Sequence, residues 1–202
     1  GQDASAVLRR VADGAVLIST GASDWVASNG TAIRVDGGYR VHARKAPASG
    51  CEAGNVLVTS IRWDAPDGGK VLHCSIPMTA DGVRIETTWD TLGVRASGSH
   101  TVVLEDVFVP DASVSLVRSA DEWPTIWNVV LPLALPLIMS AYLGIADAAV
   151  EEARQRTRAD EPSISLLGEM INAHTTAGDL VAAMFRDADD LAFAPSADLS
   201  AR

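Results

Sequence analysis

The sequence is poor in cysteine and in positive charge, and each shortage narrows what the chain can be. Its two cysteines, Cys51 and Cys74, stand 23 residues apart in a chain of 202. That spacing fits neither a zinc ligand pair nor a disulfide-stapled scaffold, so a reducing, cytoplasmic setting is expected. His42, His73, His100 and His174 show no metal-ligand spacing either, and no metal is expected. Sixteen Lys and Arg face 26 Asp and Glu, for a net charge of −10. No basic cluster is present to bind a phosphate backbone, and nucleic acid is set aside as a partner. The acid is unevenly spread: residues 1–118 carry 11 basic and 13 acidic groups, whereas 119–202 carry 5 and 13. Two structural regimes are expected. The opening Gly1-Gln2-Asp3 lacks an initiator Met, a basic start and an apolar stretch, so the expectation is a fragment rather than a signal peptide.

What the sequence does contain begins with a long uncharged run. Val129 to Ala146 spans 18 residues without a charge, the lower end of the length that crosses a bilayer. Pro132, Pro136, Ser140, Tyr142 and Gly144 interrupt it, no Lys or Arg anchors flank it, and Asp121 and Glu122 precede it. The expectation is therefore no membrane partner and a helix buried all round inside a bundle.

Periodicity divides the rest. Residues 3–12 place Val7, Leu8 and Val11 at helical spacing, with Gly14 as the stop. The period then changes to two, and seven short segments rich in β-branched residues read as strands: 16–19, 31–35, 39–44, 55–62, 71–76, 83–88 and 101–109. Asp36-Gly37-Gly38 between two of them is a tight antiparallel turn, and Ala65-Pro66-Asp67-Gly68-Gly69 serves the same purpose for the next pair. From Ser119 the pattern is helical: one long helix entered through Pro124, then a second from Ser163 with an apolar stripe running through Leu167, Met170, Leu180 and Met184. The fold class is thus α+β. The end of an N-terminal helical region (1–14) precedes an antiparallel β-barrel or sandwich (15–118), and an incomplete α-helical bundle follows (119–202). Two helices cannot close a bundle, so further chain or another subunit is expected.

Three stretches carry a family resemblance. Asp90-Thr91-Leu92-Gly93-Val94-Arg95-Ala96-Ser97-Gly98-Ser99-His100, continuing through Val107-Phe108-Val109-Pro110, resembles the last β-domain strand of the acyl-CoA dehydrogenase family. Asp36 to Lys45 looks like that family's hairpin before a flavin-contacting loop, and Gly144 to Ala153 looks like the first long helix of its C-terminal bundle. The resemblance covers about residues 10–185 and implies FAD as cofactor. It also implies an acyl-CoA or other small-molecule substrate, and assembly as a homo-oligomer, a dimer or tetramer.

In the family two loops hold the flavin. The first matches Leu17-Ile18-Ser19-Thr20-Gly21-Ala22-Ser23-Asp24-Trp25, which implies Ser19 and Thr20 at the cofactor and Ser23 at the substrate side. Without the resemblance, Ser23-Asp24 is an Asx/Ser turn. The second matches Lys45-Ala46-Pro47-Ala48-Ser49-Gly50-Cys51, implying Pro47, Ala48 and Ser49 at the cofactor, with the Ser49 hydroxyl near the hydride-accepting ring nitrogen. Pro47 stands where the family carries an aromatic residue, and the plain alternative for this stretch is a strand-ending turn. Acyl-CoA dehydrogenation also needs a carboxylate base. Val129–Ala146 contains no Asp or Glu, so no catalytic residue is assigned and the base is expected beyond Arg202. Three functions follow: Cα–Cβ oxidation of an acyl-CoA, monooxygenation of an aromatic or heterocyclic substrate by a flavoprotein of the same superfamily, or a non-catalytic fragment needing a partner chain.

Overall fold

In a computed structural model, which describes residues 5–20 and 26–189, the chain divides into two compact units, Gly1–Pro124 and Thr125–Arg202. The first opens with helix α1 (Ser5–Ala12) and holds eight strands: β1 (Leu17–Ser19), β2 (Thr31–Val35), β3 (Gly38–Ala48), β4 (Val56–Ala65), β5 (Gly68–Pro77), β6 (Val83–Glu86), β7 (His100–Pro110) and β8 (Val114–Ser119). The second is a helical hairpin, α2 (Trp127–Arg156) and α3 (Glu161–Asp189).

The strands form one sheet in the order β6-β7-β3-β2-β4-β5-β8, with β1 also on β4. Two turns set its hairpins. Gly37, at φ +72°, closes the two-residue connection between β2 and β3, where a side chain would be strained. Pro66-Asp67 joins β4 to β5 over a register running from Val56↔Pro77 to Ala65↔Gly68. The buried cluster draws Val102, Leu104 and Val107 from β7, Val41 and Ala43 from β3, Leu57 and Ile61 from β4, and Leu72 and Ile76 from β5. A sheet whose two halves share one core must curl on itself, which is the enclosure expected of a barrel-like domain. Trp63 packs against the core edge-on to Tyr39, ring centres 5.2 Å apart.

Three expectations are corrected. First, the sheet is mixed, because β1 and β2 both run parallel to β4 along one edge. Leu17 lies opposite Val56 and Ala32 opposite Trp63. Fifteen residues of chain thus separate two positions that lie seven residues apart along β4. Both pieces keep one direction because they are a single edge path interrupted midway. Second, Ser119 ends strand β8 on β5 instead of starting a helix, and α2 begins only at Trp127. Third, α2 is not buried all round within this chain. Its 18-residue apolar window is 6% buried, and it is the one helix among the described residues long and apolar enough to cross a membrane. The reason is geometric: one partner helix covers only a seam, and α3 is that partner.

Local chemistry accounts for the hairpin of helices. Thr157, with extended backbone, ends α2 while its hydroxyl donates back to the Ala153 carbonyl. Asp160 then accepts the Ser163 amide at 2.9 Å as the cap of α3, and the Ser163 side chain first and this amide second lower its carboxyl pKa. Asp147 and His174 Nε2 meet across the pair at 2.6 Å.

Candidate functional site

The second candidate loop sits where β3 ends. Strand alternation turns Val41, Ala43 and Lys45 inward and Arg40, His42 and Arg44 outward. The Ala46-Pro47 peptide is cis, Pro47 is exposed, and Ala48 is fully buried against His100 of β7. Ser49 emerges at the surface just beyond, with its hydroxyl 2.8 Å from that of Ser99. Ser99 is itself 5% exposed and lies 2.7 Å from the Ser97 hydroxyl. The Gly50 amide donates to the Ser97 carbonyl at 2.8 Å, and the Cys51 thiol lies against the Gly98 carbonyl at 3.7 Å. A row of three hydroxyls thus joins the end of β3 to the 95–99 segment, with only its outer member, Ser49, exposed.

His100 holds this row from behind. Its Nδ1 accepts the backbone amides of Thr88 at 3.1 Å and Trp89 at 3.0 Å, which leaves the ring proton on Nε2, 3.9 Å from the Glu52 carboxylate. The Trp89 indole donates to the Val94 carbonyl, and Arg95 pairs with Asp90, so the 88–100 segment is fastened at several points. This makes His100 an organiser of the site. Burial raises the Cys51 thiol, and it pushes the Cys74 thiol up to about 12, so neither is a thiolate nucleophile at neutral pH.

The first candidate loop starts from β1. Ser19 is exposed at its end. Thr20 is 4% exposed, and its hydroxyl is engaged with Thr59 at 2.6 Å. Gly21 to Trp25, and with them Ser23, lie outside the described residues. Further along, Ser28 donates to the Ser60 carbonyl at 2.7 Å, and Lys45 of β3 donates to Ser28 at 3.2 Å and to the Asn29 carbonyl at 3.1 Å. The strand leading to Ser49 therefore touches the exit of the first loop.

These features bear on whether a flavin fits. The polar edge of its ring system needs hydrogen-bond partners, and its faces need flat apolar cover. The Ser49 hydroxyl and the backbone at the end of β3 answer the first need. For the second, the described residues of this loop supply the Pro47 ring and no aromatic. Among the described residues no group of three or more His, Cys, Asp or Glu is placed to hold a metal ion.

No protein-family model matches this sequence. It is 33% identical over 143 residues to the flavin-dependent monooxygenase oxygenase subunit HsaA of Rhodococcus jostii (strain RHA1), an overlap of 62% of this chain and 36% of that protein. It is 31% identical over 133 residues to a dibenzothiophene monooxygenase of Mycolicibacterium goodii, covering 61% of this chain and 31% of the other. The chain thus spans about a third of the length of these curated relatives. A probable acyl-CoA dehydrogenase from Mycobacterium abscessus superposes with a TM-score of 0.68 at 20% identity, covering 92% of this chain and 54% of that one. Other solved structures of similar architecture contain FMN or FADH2. On these grounds the 202 residues carry the acyl-CoA dehydrogenase-like fold.

Proposed function

We propose that the chain is part of a flavin-dependent monooxygenase acting on an aromatic or heterocyclic small molecule. The observation that carries the flavin reading is the exposed Ser49 hydroxyl at the end of β3, backed by Ser99 and Ser97, in the loop that matches the family's second flavin contact. The curated relatives named above are monooxygenases, which supports oxygenation over the expected oxidation of an acyl-CoA. The absence of any carboxylate between Val129 and Ala146 agrees with this reading, since oxygenation needs no base to remove an α-proton there.

Reduced flavin, when bound, supplies two electrons and two protons, so that one oxygen atom of O2 enters the substrate as a hydroxyl and the other leaves as water. The chain's own part is to bind and orient. Ser49 would hydrogen-bond the polar edge of the ring, Ser99 and Ser97 hold that hydroxyl in place, and Pro47 would offer apolar cover. FAD and FMN have the same ring chemistry, and the reading extends to either.

The test uses the full-length protein with FMN or FAD, a reducing system and 18O2, offered indole and a phenol. The expected result is a hydroxylated product carrying one labelled atom, together with no anaerobic bleaching of the flavin by butyryl-CoA. Bleaching by butyryl-CoA without oxygen would restore the dehydrogenase reading, and failure to take up either flavin would remove both.

A further inference from the structure

The connection between β1 and β2 is held at Thr20 and again over 26–30, by different chemistry. At its start the Thr20 amide donates to the Val58 carbonyl at 3.3 Å, and the hydroxyls of Thr20 and Thr59 meet. These are neutral, local contacts with β4. At its exit the contacts are cationic and come from distant strands. Lys45, on β3, is one of the chain's two lysines and only 1% exposed, yet its ammonium reaches the Asn29 carbonyl and the Ser28 hydroxyl. Arg118, on β8, donates to the Val26 carbonyl at 2.5 Å and to His73 Nε2 at 3.0 Å. Gly30 completes the exit at φ +91°, pressed so close to β3 that a Cβ there would lie 2.7 Å from both the His42 carbonyl and the Ala43 side chain.

Burying an ammonium is costly unless it is well hydrogen-bonded, so a lysine at this position calls for a reason. Strand geometry supplies one. Lys45 lies on β3, and Ser49 follows the end of that strand. A side chain on that strand fixed to Ser28-Asn29 sets the distance between the exit of the first loop and the hydroxyl of the second.

We propose that Lys45 is a positioning residue: by holding Ser28 and Asn29 against β3, with Arg118 securing Val26, it sets where the segment 26–30 stands relative to Ser49. The functional half of this inference rests on the proposed flavin site. The structural half does not, and the experiment separates them.

In full-length protein without flavin, amide exchange over residues 26–30 is expected to accelerate about tenfold in Lys45→Met, with β4 and β5 unchanged. FMN and FAD should then bind about tenfold more weakly to the variant, with an altered visible spectrum. The effects of Ser28→Ala and Lys45→Met should also fall short of additive in the double variant, because both act through one contact. Unchanged exchange over 26–30 overturns the proposal, and so does loosened exchange with flavin affinity and spectrum intact. If Lys45→Met fails to fold, Ser28→Ala, which keeps the ammonium, replaces it with the same criteria. If the unmodified protein takes up neither flavin, the functional proposal fails, and the exchange measurement still decides whether Lys45 holds the loop.

Discussion

The two units of this chain use their apolar residues in opposite ways. In the β-unit, Leu57, Ile61, Val71, Val102 and Val107 are fully buried, and outward positions on β3 are given to Arg40, His42 and Arg44. In the helical unit, Leu137, Tyr142, Ile145, Leu166 and Leu180 are all between 57% and 66% exposed. Yet α2 is, among the described residues, the one helix long and apolar enough to cross a membrane. Hydrophobic content therefore does not decide burial; the number of neighbours that an element can recruit does. A curled eight-stranded sheet closes around its own side chains, whereas two helices bury a seam and leave the rest of their circumference exposed.

The sharpest way to break this comparison is to remove the same group from each unit. Leu57→Ala in the 202-residue chain should cost about 2–5 kcal/mol, the transfer of a buried leucine plus the cavity it leaves. Leu166→Ala should stay within about 0.5 kcal/mol, as exposed substitutions do. Denaturant unfolding of both variants measures the difference, and similar costs would mean that the helical unit is not open in solution. Repeating Leu137→Ala in the full-length protein sharpens the point. A small cost in the shorter chain and a large one in the longer would locate the cover outside the 202 residues.

Within the β-unit a second contrast separates interior from strand ends. Ser49→Ala removes one hydroxyl at the surface, so stability should fall by only about 0.5–1.5 kcal/mol. Turnover should fall more, by about a hundredfold if the hydroxyl faces charge developing on the ring. Single-turnover kinetics with parallel thermal melts test this, and an unchanged rate with an unchanged flavin spectrum returns Ser49 to the role of a turn residue.

How much of this was readable in advance depended on the range of each interaction. The turn at Asp36-Gly37 and strand β2 could be read directly, because a positive-φ glycine between alternating segments is a local signal. The parallel placement of β1 and β2 on β4 could not, because pairing between residues 39 apart in sequence leaves no local trace. Strand β8 was missed for a related reason. Val114 to Ser119 is short and mostly exposed, follows a single helical turn, and gains its identity only from β5. At the site, the motif proposes Ser49, but the hydroxyl row to Ser99 joins two motifs 50 residues apart that only the fold brings together. Lys45 is the instructive omission. Alternation along Tyr39, Val41 and Ala43 placed it on the inward face, and a charge at an inward position was the available signal.

The smallest expected effect lies on the outer face of the sheet, opposite the core. Glu86 accepts hydrogen bonds from Arg44 and Arg84, and Arg84 also reaches Glu105. Arg44 first and Arg84 second hold the Glu86 carboxyl down to about 2, well under its ordinary value of 4.5. A carboxylate depressed in the folded state contributes stability that is fully present above its unfolded pKa and is lost as pH falls through the folded one. The window is therefore from about pH 4.5 down to about 2, and nothing should change near neutrality. The size of the effect is limited, because these groups are partly exposed and salt screens them. Glu86→Gln should remove part of the acid-side decline in stability in low salt, and the difference from the unmodified protein should shrink in high salt. Leu57→Ala, by contrast, should lower stability at every pH by the same amount. If Glu86→Gln instead lowers stability uniformly across that range, Glu86 acts by packing rather than by charge.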